Sequence, residues 1–151
     1  SRSRVCLVDG DLRRSSLCRL FGMKSPISLG EELHQHLQYP ERPWRVLGLG
    51  PALHLLPSPK RDANPAEVLN SEAIWDLMDE LRREFDYVVL TTPPLLESAD
   101  GVILQEHADG IILAARSRMT RQDNMRGSLE KLGKGKVLGT VLLDMEKPTL
   151  L

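Results

Sequence analysis

Short apolar runs and amphipathic segments alternate along the chain. Five apolar runs have the length and composition of β-strands: VCLVD, ALHLLPSP, YVVL, GIILAA and KVLGTVLL. Their apolar residues are nearly continuous, which is typical of strands buried on both faces of a parallel sheet. The pattern therefore predicts an α/β fold, with all five strands in one mostly parallel sheet and helices on both faces.

Helical segments are predicted between these strands. The segment SLGEELHQHL has Ser28 and Glu31 at capping-box spacing. The segment ANPAEVLNSEAIWDLMDELRREF is predicted as one long helix, with Asn64 as its cap and an apolar stripe that includes Trp75. The other two predicted helices are SADGVILQEHA, beginning at Ser98, and TRQDNMRGSLEKLG, capped by Thr120 and ended by Gly133.

Composition bounds the possible functions. A length of 151 residues predicts a single domain over residues 1–151, large enough for a proper core. With 20 basic and 21 acidic side chains the net charge is -1, so we expect no nucleic-acid partner. No apolar stretch approaches the roughly 20 residues of a membrane span. Cys6 and Cys18 are interpreted as free thiols of a reducing compartment.

Two aspartates, Asp9 and Asp11, follow the first predicted strand in the sequence VDGDLRR. In a parallel α/β sheet, ligands bind beyond the carboxyl ends of the strands. This rule selects three stretches: VDGDLRR, TTPPLLES and LDMEKP. Taken alone, an acidic turn is as often a solvated loop, and Gly10 also suits a tight turn.

A response-regulator receiver domain also has acids after its first strand. Such a domain needs a phospho-acceptor aspartate at the end of a later strand and a lysine after its last strand. Here the next two predicted strands end in Pro57 and Thr91, so we set that interpretation aside.

Several motifs occur in the order and spacing of one protein family. They are the Asp-x-Asp-Leu-Arg-Arg turn, the Asn-Pro-Ala-Glu-x-Leu helix start, and Phe-Asp-Tyr before an apolar strand that ends in Thr-Pro-Pro. Over nearly its whole length the chain resembles the bacterial tyrosine kinases of exopolysaccharide synthesis, which are part of the MinD/ParA-like group of P-loop ATPases.

The resemblance implies a site for ATP and Mg²⁺ at the carboxyl edge of the sheet. Asp9 and Asp11 match the family's second nucleotide motif, near the magnesium and the transferred phosphate, and are the candidate catalytic residues. Asp11 and Thr91 are the candidate metal ligands. Arg13, beside the acidic turn, and Arg118, after the fourth strand, are candidate nucleotide contacts, although loop arginines are more often solvated.

The sequence also departs from the family pattern. It contains no Gly-Lys-Ser or Gly-Lys-Thr, and the resemblance places that phosphate-binding loop about one helix before Ser1. Thr91 stands where the family has an acid, which should weaken metal binding. Leu143 replaces an asparagine near the adenine, and the family's tyrosine tail is missing, since the only tyrosines are Tyr39 and Tyr87.

Two functions remain open. The first is an ATP-dependent kinase or ATPase; the second is a degenerate interaction module without catalysis. The resemblance implies an inner-membrane polysaccharide chain-length determinant as partner, a homo-oligomer, and a cytoplasmic location at that membrane. If Asp9 and Asp11 lie close together with no cation, they should repel each other, and at least one should have a raised pKa.

Overall fold

A computed structural model describes residues 3–24, 28–58, 62, 64–132 and 135–144. The chain forms six strands, six α-helices and one 3₁₀ turn within these ranges. In chain order they are β1 (Val5–Asp9), α1 (Ser16–Leu20), α2 (Leu29–Gln38), β2 (Leu47–Gly48), β3 (Leu53–Leu56), α3 (Pro65–Leu69), α4 (Glu72–Glu84), β4 (Tyr87–Thr91), α5 (Asp100–Leu104), the 3₁₀ turn (Gln105–His107), β5 (Ile111–Arg116), α6 (Gln122–Leu132) and β6 (Val137–Leu143).

Parallel pairing dominates the sheet structure. Strand β1 lies between β3 and β4 and is parallel to both, while the short strand β2 pairs antiparallel with β3. Strands β5 and β6 form a second parallel pair. The predicted α/β class with a mostly parallel sheet is therefore confirmed.

The prediction of one continuous sheet is wrong for the described residues. Strand β4 is the edge of a four-stranded sheet, and β5 pairs with β6 in a separate two-stranded sheet. A cavity of about 930 Å³ separates them, lined by Leu90 and Thr91 on one side and by Ile111 to Ala114 on the other. The strands therefore do not exchange backbone hydrogen bonds across this gap.

The main core lies on one face of the four-stranded sheet. Cys6 and Val8 of β1 are buried there, because alternate residues of a strand point to the same face. They join a cluster contributed largely by the helices, which includes Leu29, Leu33, Leu69, Ile74, Leu77, Leu81 and Leu104. On the opposite face Tyr87 and Val89 are exposed, so that face is more open than predicted.

The long helix predicted from residue 64 is wrong, because it is broken into α3 and α4. At the break the Asn70 side-chain amide donates to the Ala66 carbonyl at 2.7 Å, and Ser71 Oγ donates to the Val68 carbonyl at 2.7 Å. The same two carbonyls also accept the backbone amides of Asn70 and Ser71, at 3.1 and 3.3 Å, so side chains and backbone share them at the end of α3. Asn64 makes no capping hydrogen bond to the backbone, and Trp75 is 44% exposed rather than part of the core.

Other local predictions have mixed outcomes. The capping box is confirmed, since Ser28 Oγ accepts from the Glu31 amide and the Glu31 carboxylate accepts from the Ser28 amide. Ser98 Oγ accepts from the Asp100 amide at the start of α5. Helix α1 was not predicted. Thr120 Oγ1 accepts from the Arg116 amide, and α6 begins two residues later, at Gln122, so Thr120 is not at its N-cap position; the predicted stop at Gly133 is outside the described residues.

Candidate functional site

Asp9 is the last residue of β1 and is held by three donors. It is paired in register with Thr91, the last residue of β4. Its carboxylate accepts hydrogen bonds from the Leu17 amide at 2.8 Å, from the Asp11 amide at 3.3 Å and from Thr91 Oγ1 at 3.1 Å. The parallel register thus brings Asp9 and Thr91 together, as the strand pattern predicts.

Asp11 shapes the turn that follows. Its Oδ1 accepts from the amides of Arg13 and Arg14 at 3.2 and 3.1 Å, which is an Asx-type turn. Gly10 permits this turn to pack closely, because a Cβ there would lie 2.3 Å from the Thr91 carbonyl oxygen and 2.8 Å from Leu104. We call residues Asp9 to Asp11 the acidic turn. It therefore packs against the end of β4 and against α5.

The two carboxylates differ in burial. Asp9 is fully buried, whereas Asp11 keeps 7% of its surface exposed. Burial raises the pKa of Asp9; the hydrogen bonds from Leu17, Thr91 and the Asp11 amide oppose that rise, and the charge of Asp11, the smallest of these contributions, adds to it. The direction agrees with the sequence-based expectation, but desolvation rather than repulsion is the main cause.

Both arginines after the acidic turn are engaged by acids that follow β4. Arg13 donates to both carboxylate oxygens of Asp100, from Nε at 2.8 Å and from Nη2 at 3.1 Å. The guanidinium of Arg14 pairs with Glu97. The backbone amide of the candidate contact Arg13 thus bonds to Asp11, but its side chain bonds to Asp100 of α5. The sequence analysis missed Asp100, although this acid lies only six residues after the Thr-Pro-Pro motif.

The cavity between β4 and β5 adjoins this cluster. Thr91 lines it and also donates to Asp9, so this residue links the cavity to the acidic turn. On the far side the lining includes Arg116, which pairs with Asp144 at 2.8 Å, and Leu143. Arg118 lies in the loop after β5 in a left-handed conformation with φ 61°. The structure therefore brings Asp9, Asp11 and Thr91 together, with Arg118 in the loop beyond β5.

The chemistry of the cluster fits magnesium better than a transition metal. No group of three or more His, Cys, Asp or Glu side chains that could hold an ion is found among the described residues. Asp11 and Thr91 would offer carboxylate and hydroxyl oxygens, and Mg²⁺ typically combines one or two carboxylates with water and phosphate oxygens. Since the oxygens of Asp9 already accept three hydrogen bonds, Asp11 is the more available ligand.

Two further features concern the rest of the chain. Cys6 and Cys18 are both buried free thiols. Within the described residues, no helix has the length and apolar character needed to cross a membrane.

Sequence comparison gives the relatives of this chain. No protein-family model matches the sequence. The chain is 30% identical over 151 residues to tyrosine-protein kinase ptk of Acinetobacter johnsonii, with 97% of this chain and 20% of the relative covered. It is 32% identical over 148 residues to tyrosine-protein kinase YwqD of Bacillus subtilis strain 168, with 92% and 59% covered. The homologues of this chain are bacterial tyrosine-protein kinases. The chain therefore spans only part of the length of these kinase relatives.

Solved structures agree with the tyrosine-kinase relatives. The chimerical protein CapA2B2 superposes with a TM-score of 0.84 at 23% identity, covering 96% of this chain and 64% of that one. A VpsO kinase domain superposes with a TM-score of 0.82 at 26% identity, covering 95% of this chain and 71% of that one. The septum site-determining protein MinD of Pyrococcus horikoshii, solved with Mg-ADP, gives 0.65 at 17% identity, covering 93% and 57%. The fold is that of MinD/ParA-type P-loop NTPases.

Proposed function

We propose that this chain supplies the acidic side of an ATP·Mg²⁺ site in a tyrosine kinase or ATPase of exopolysaccharide or capsule synthesis. The single observation that carries the proposal is the joining of the acidic turn to Thr91 at one sheet edge, beside a cavity. The kinase relatives and the Asp-x-Asp-Leu-Arg-Arg motif support the same assignment.

Within this site Asp11 and Thr91 would hold the metal, either directly or through water. Bound Mg²⁺ supplies positive charge that offsets the charge on phosphoryl oxygens during transfer. Asp9 orients Thr91 by accepting its hydroxyl hydrogen, and it fixes the backbone of Asp11. The fully buried Asp9 would therefore hold the geometry, and Asp11, which keeps 7% of its surface exposed, would be the acid that reaches the metal.

The cavity between β4 and β5 is the proposed place for the phosphate-binding loop. An added parallel strand there would join the two sheets and deliver a glycine-rich loop to the edge where Thr91 ends β4. The apolar lining of the cavity supports this proposal. Ile112 on β5 also supports it, because it is 63% exposed and the added strand would cover it.

A second candidate is a non-catalytic module, and two residues favour it. Thr91 brings no negative charge to the metal, and Leu143, which lines the cavity, replaces the family's asparagine. In either case the proposed partner is an inner-membrane chain-length determinant, which the domain would contact from the cytoplasm, with homo-oligomers at that membrane.

A chimera tests the proposal. The part of YwqD that precedes its matched region is fused in front of Ser1, and ATP hydrolysis is measured with Mg²⁺. We expect hydrolysis that falls at least about tenfold in Asp11→Asn and is unchanged in Asp109→Asn, a control at an exposed aspartate. A chimera that binds MgATP without hydrolysing it would favour the second candidate. A folded chimera that does neither would overturn the proposal.

A further inference from the structure

The two arginines after the acidic turn are held in very different ways. Arg13 forms a forked pair with Asp100, whose side chain is 1% exposed, while the Arg13 side chain is 43% exposed. In the pair between Arg14 and Glu97 both side chains are more than half exposed. Exposed ion pairs contribute little to the free energy of unfolding. Loss of one partner from a buried pair instead leaves a buried charge without a counter-charge.

The buried pair connects two parts of the candidate site. Arg13 follows the acidic turn directly, and its amide donates to Asp11 Oδ1. Asp100 is the first residue of α5, the helix that follows β4 and the Thr-Pro-Pro segment. The acidic turn already touches α5 through the close approach of Gly10 to Leu104. The forked pair is therefore a second tie between the same turn and the same helix.

The direction of the Arg13 side chain matters for function. Two of the three guanidinium nitrogens, Nε and Nη2, bond to one buried carboxylate, so that edge of the Arg13 guanidinium is occupied. A phosphate that used this edge of Arg13 would have to displace Asp100 and leave a buried carboxylate unpaired. The geometry consequently commits the forked edge of this arginine to α5 rather than to a nucleotide.

We propose that Arg13 is a positioning residue: through Asp100 it fixes the acidic turn on α5 and so orients the Asp11 carboxylate towards the metal. This inference rests on the proposed ATP·Mg²⁺ site, because it assigns a role to a residue beside that site. Arg14 has the same chemistry but lies in an exposed pair, and it has no such role.

The test uses the 151-residue chain labelled with ¹⁵N, as the parent and as Arg13→Gln, Asp100→Asn, the double variant and Arg14→Gln. Hydrogen exchange is measured at the amides of Asp11, Arg13 and Arg14, which the acidic turn protects. We expect each single variant of the buried pair to accelerate this exchange by about tenfold or more. The double variant should add little, and Arg14→Gln should change it less than about twofold.

A second measurement distinguishes positioning from a general loss of structure. Broadening of the Gly10 and Asp11 amide signals by Mn²⁺ is recorded under conditions where every variant is fully folded. Broadening should fall severalfold in Arg13→Gln and in Asp100→Asn, stay at the parental level in Arg14→Gln, and recover in part in Arg13→Lys. The lysine variant also keeps the test open if Arg13→Gln does not fold.

Three results separate the possible errors. Unchanged exchange in Arg13→Gln or in Asp100→Asn overturns the positioning role. If magnesium tripolyphosphate, used as a probe, binds more tightly to Asp100→Asn and more weakly to Arg13→Gln, Arg13 is a phosphate ligand and the inference is wrong. If the parent shows no Mn²⁺ broadening, the proposed metal site fails, while the exchange data still decide whether Arg13 fixes the turn.

Discussion

Thr91 Oγ1 donates a 3.1 Å hydrogen bond to Asp9 Oδ1, and these two residues are paired partners at the carboxyl ends of β4 and β1. A hydroxyl at this place satisfies a buried carboxylate without adding a second charge. The chain can therefore keep Asp9 buried without a bound metal. A second acid at position 91 would need a cation between the two carboxylates.

This relationship predicts the effect of Thr91→Asp. In metal-free buffer the new carboxylate lies against Asp9, and we expect the free energy of unfolding to fall by about 2 kcal/mol. Millimolar Mg²⁺ should restore much of this loss, because an ion that binds only the folded state stabilises it. Thermal melts with and without MgCl₂ measure both effects.

Thr92→Asp is the matched control for that experiment. In the parent, the Thr92 hydroxyl donates to the Pro93 carbonyl rather than to Asp9. The melting temperature of Thr92→Asp should therefore respond little to Mg²⁺. An equal response of both variants to Mg²⁺, or none from Thr91→Asp, would count against a metal site at this edge.

The two aspartates should differ in their tolerance of asparagine. Both carboxylate oxygens of Asp9 accept N–H groups, so Asp9→Asn places an amide NH₂ against one donor and should cost about 1–3 kcal/mol. In Asp11 the two backbone donors share Oδ1, which asparagine retains, so Asp11→Asn should cost less than about 1 kcal/mol. Urea denaturation compares the variants. Equal losses would show that the hydrogen bonds to Asp9 are not what holds the turn.

Stability should fall at alkaline pH because of Cys6. Burial raises the pKa of this thiol from 9.0 to about 11. A raised pKa favours the neutral thiol in the folded state, so the stabilisation is complete below pH 9.0 and is lost as the pH rises to about 11. The parent should lose about 2 kcal/mol more than Cys6→Ala over this interval. Denaturant titrations of the parent and Cys6→Ala across this interval test this; parallel curves for the two proteins would disprove it.

Stability should also fall at mildly acidic pH because of His107. Burial, and then the charge of Arg82, lower the pKa of this imidazole below its usual 6.5. The folded state therefore favours neutral His107, and stability is lost as the pH falls from 6.5 through the lowered pKa. The variant His107→Gln should show a shallower loss in denaturant titrations over this range. His34→Gln, at an exposed position, should behave like the parent, and the opposite ranking would exclude His107 as the source.

Local patterns in the sequence predict the fold and part of the site. The capping box at Ser28 follows from a spacing of three residues, and the meeting of Asp9 with Thr91 follows from two parallel strands that end together. These features need only neighbouring residues or a general rule of sheet topology.

The features that sequence reasoning missed depend on contacts that spacing does not encode. Arg13 and Asp100 are 87 positions apart, and nothing local indicates that they pair. At the break after α3 two side chains bond to helix carbonyls, although the apolar periodicity continues through it. The separation of β4 from β5 depends on backbone pairing between distant strands, which apolar runs alone do not determine.

The most direct test of the central claim is calorimetric titration of MgATP into the 151-residue chain and into the YwqD chimera. Backbone N–H groups of a glycine-rich loop supply much of the phosphate affinity in this fold, and this chain supplies the acidic side. The account predicts a Kd weaker than about 1 mM for the chain alone and a Kd of about 1–100 μM for the chimera. Micromolar binding by the chain alone, or no binding by a folded chimera, would contradict it.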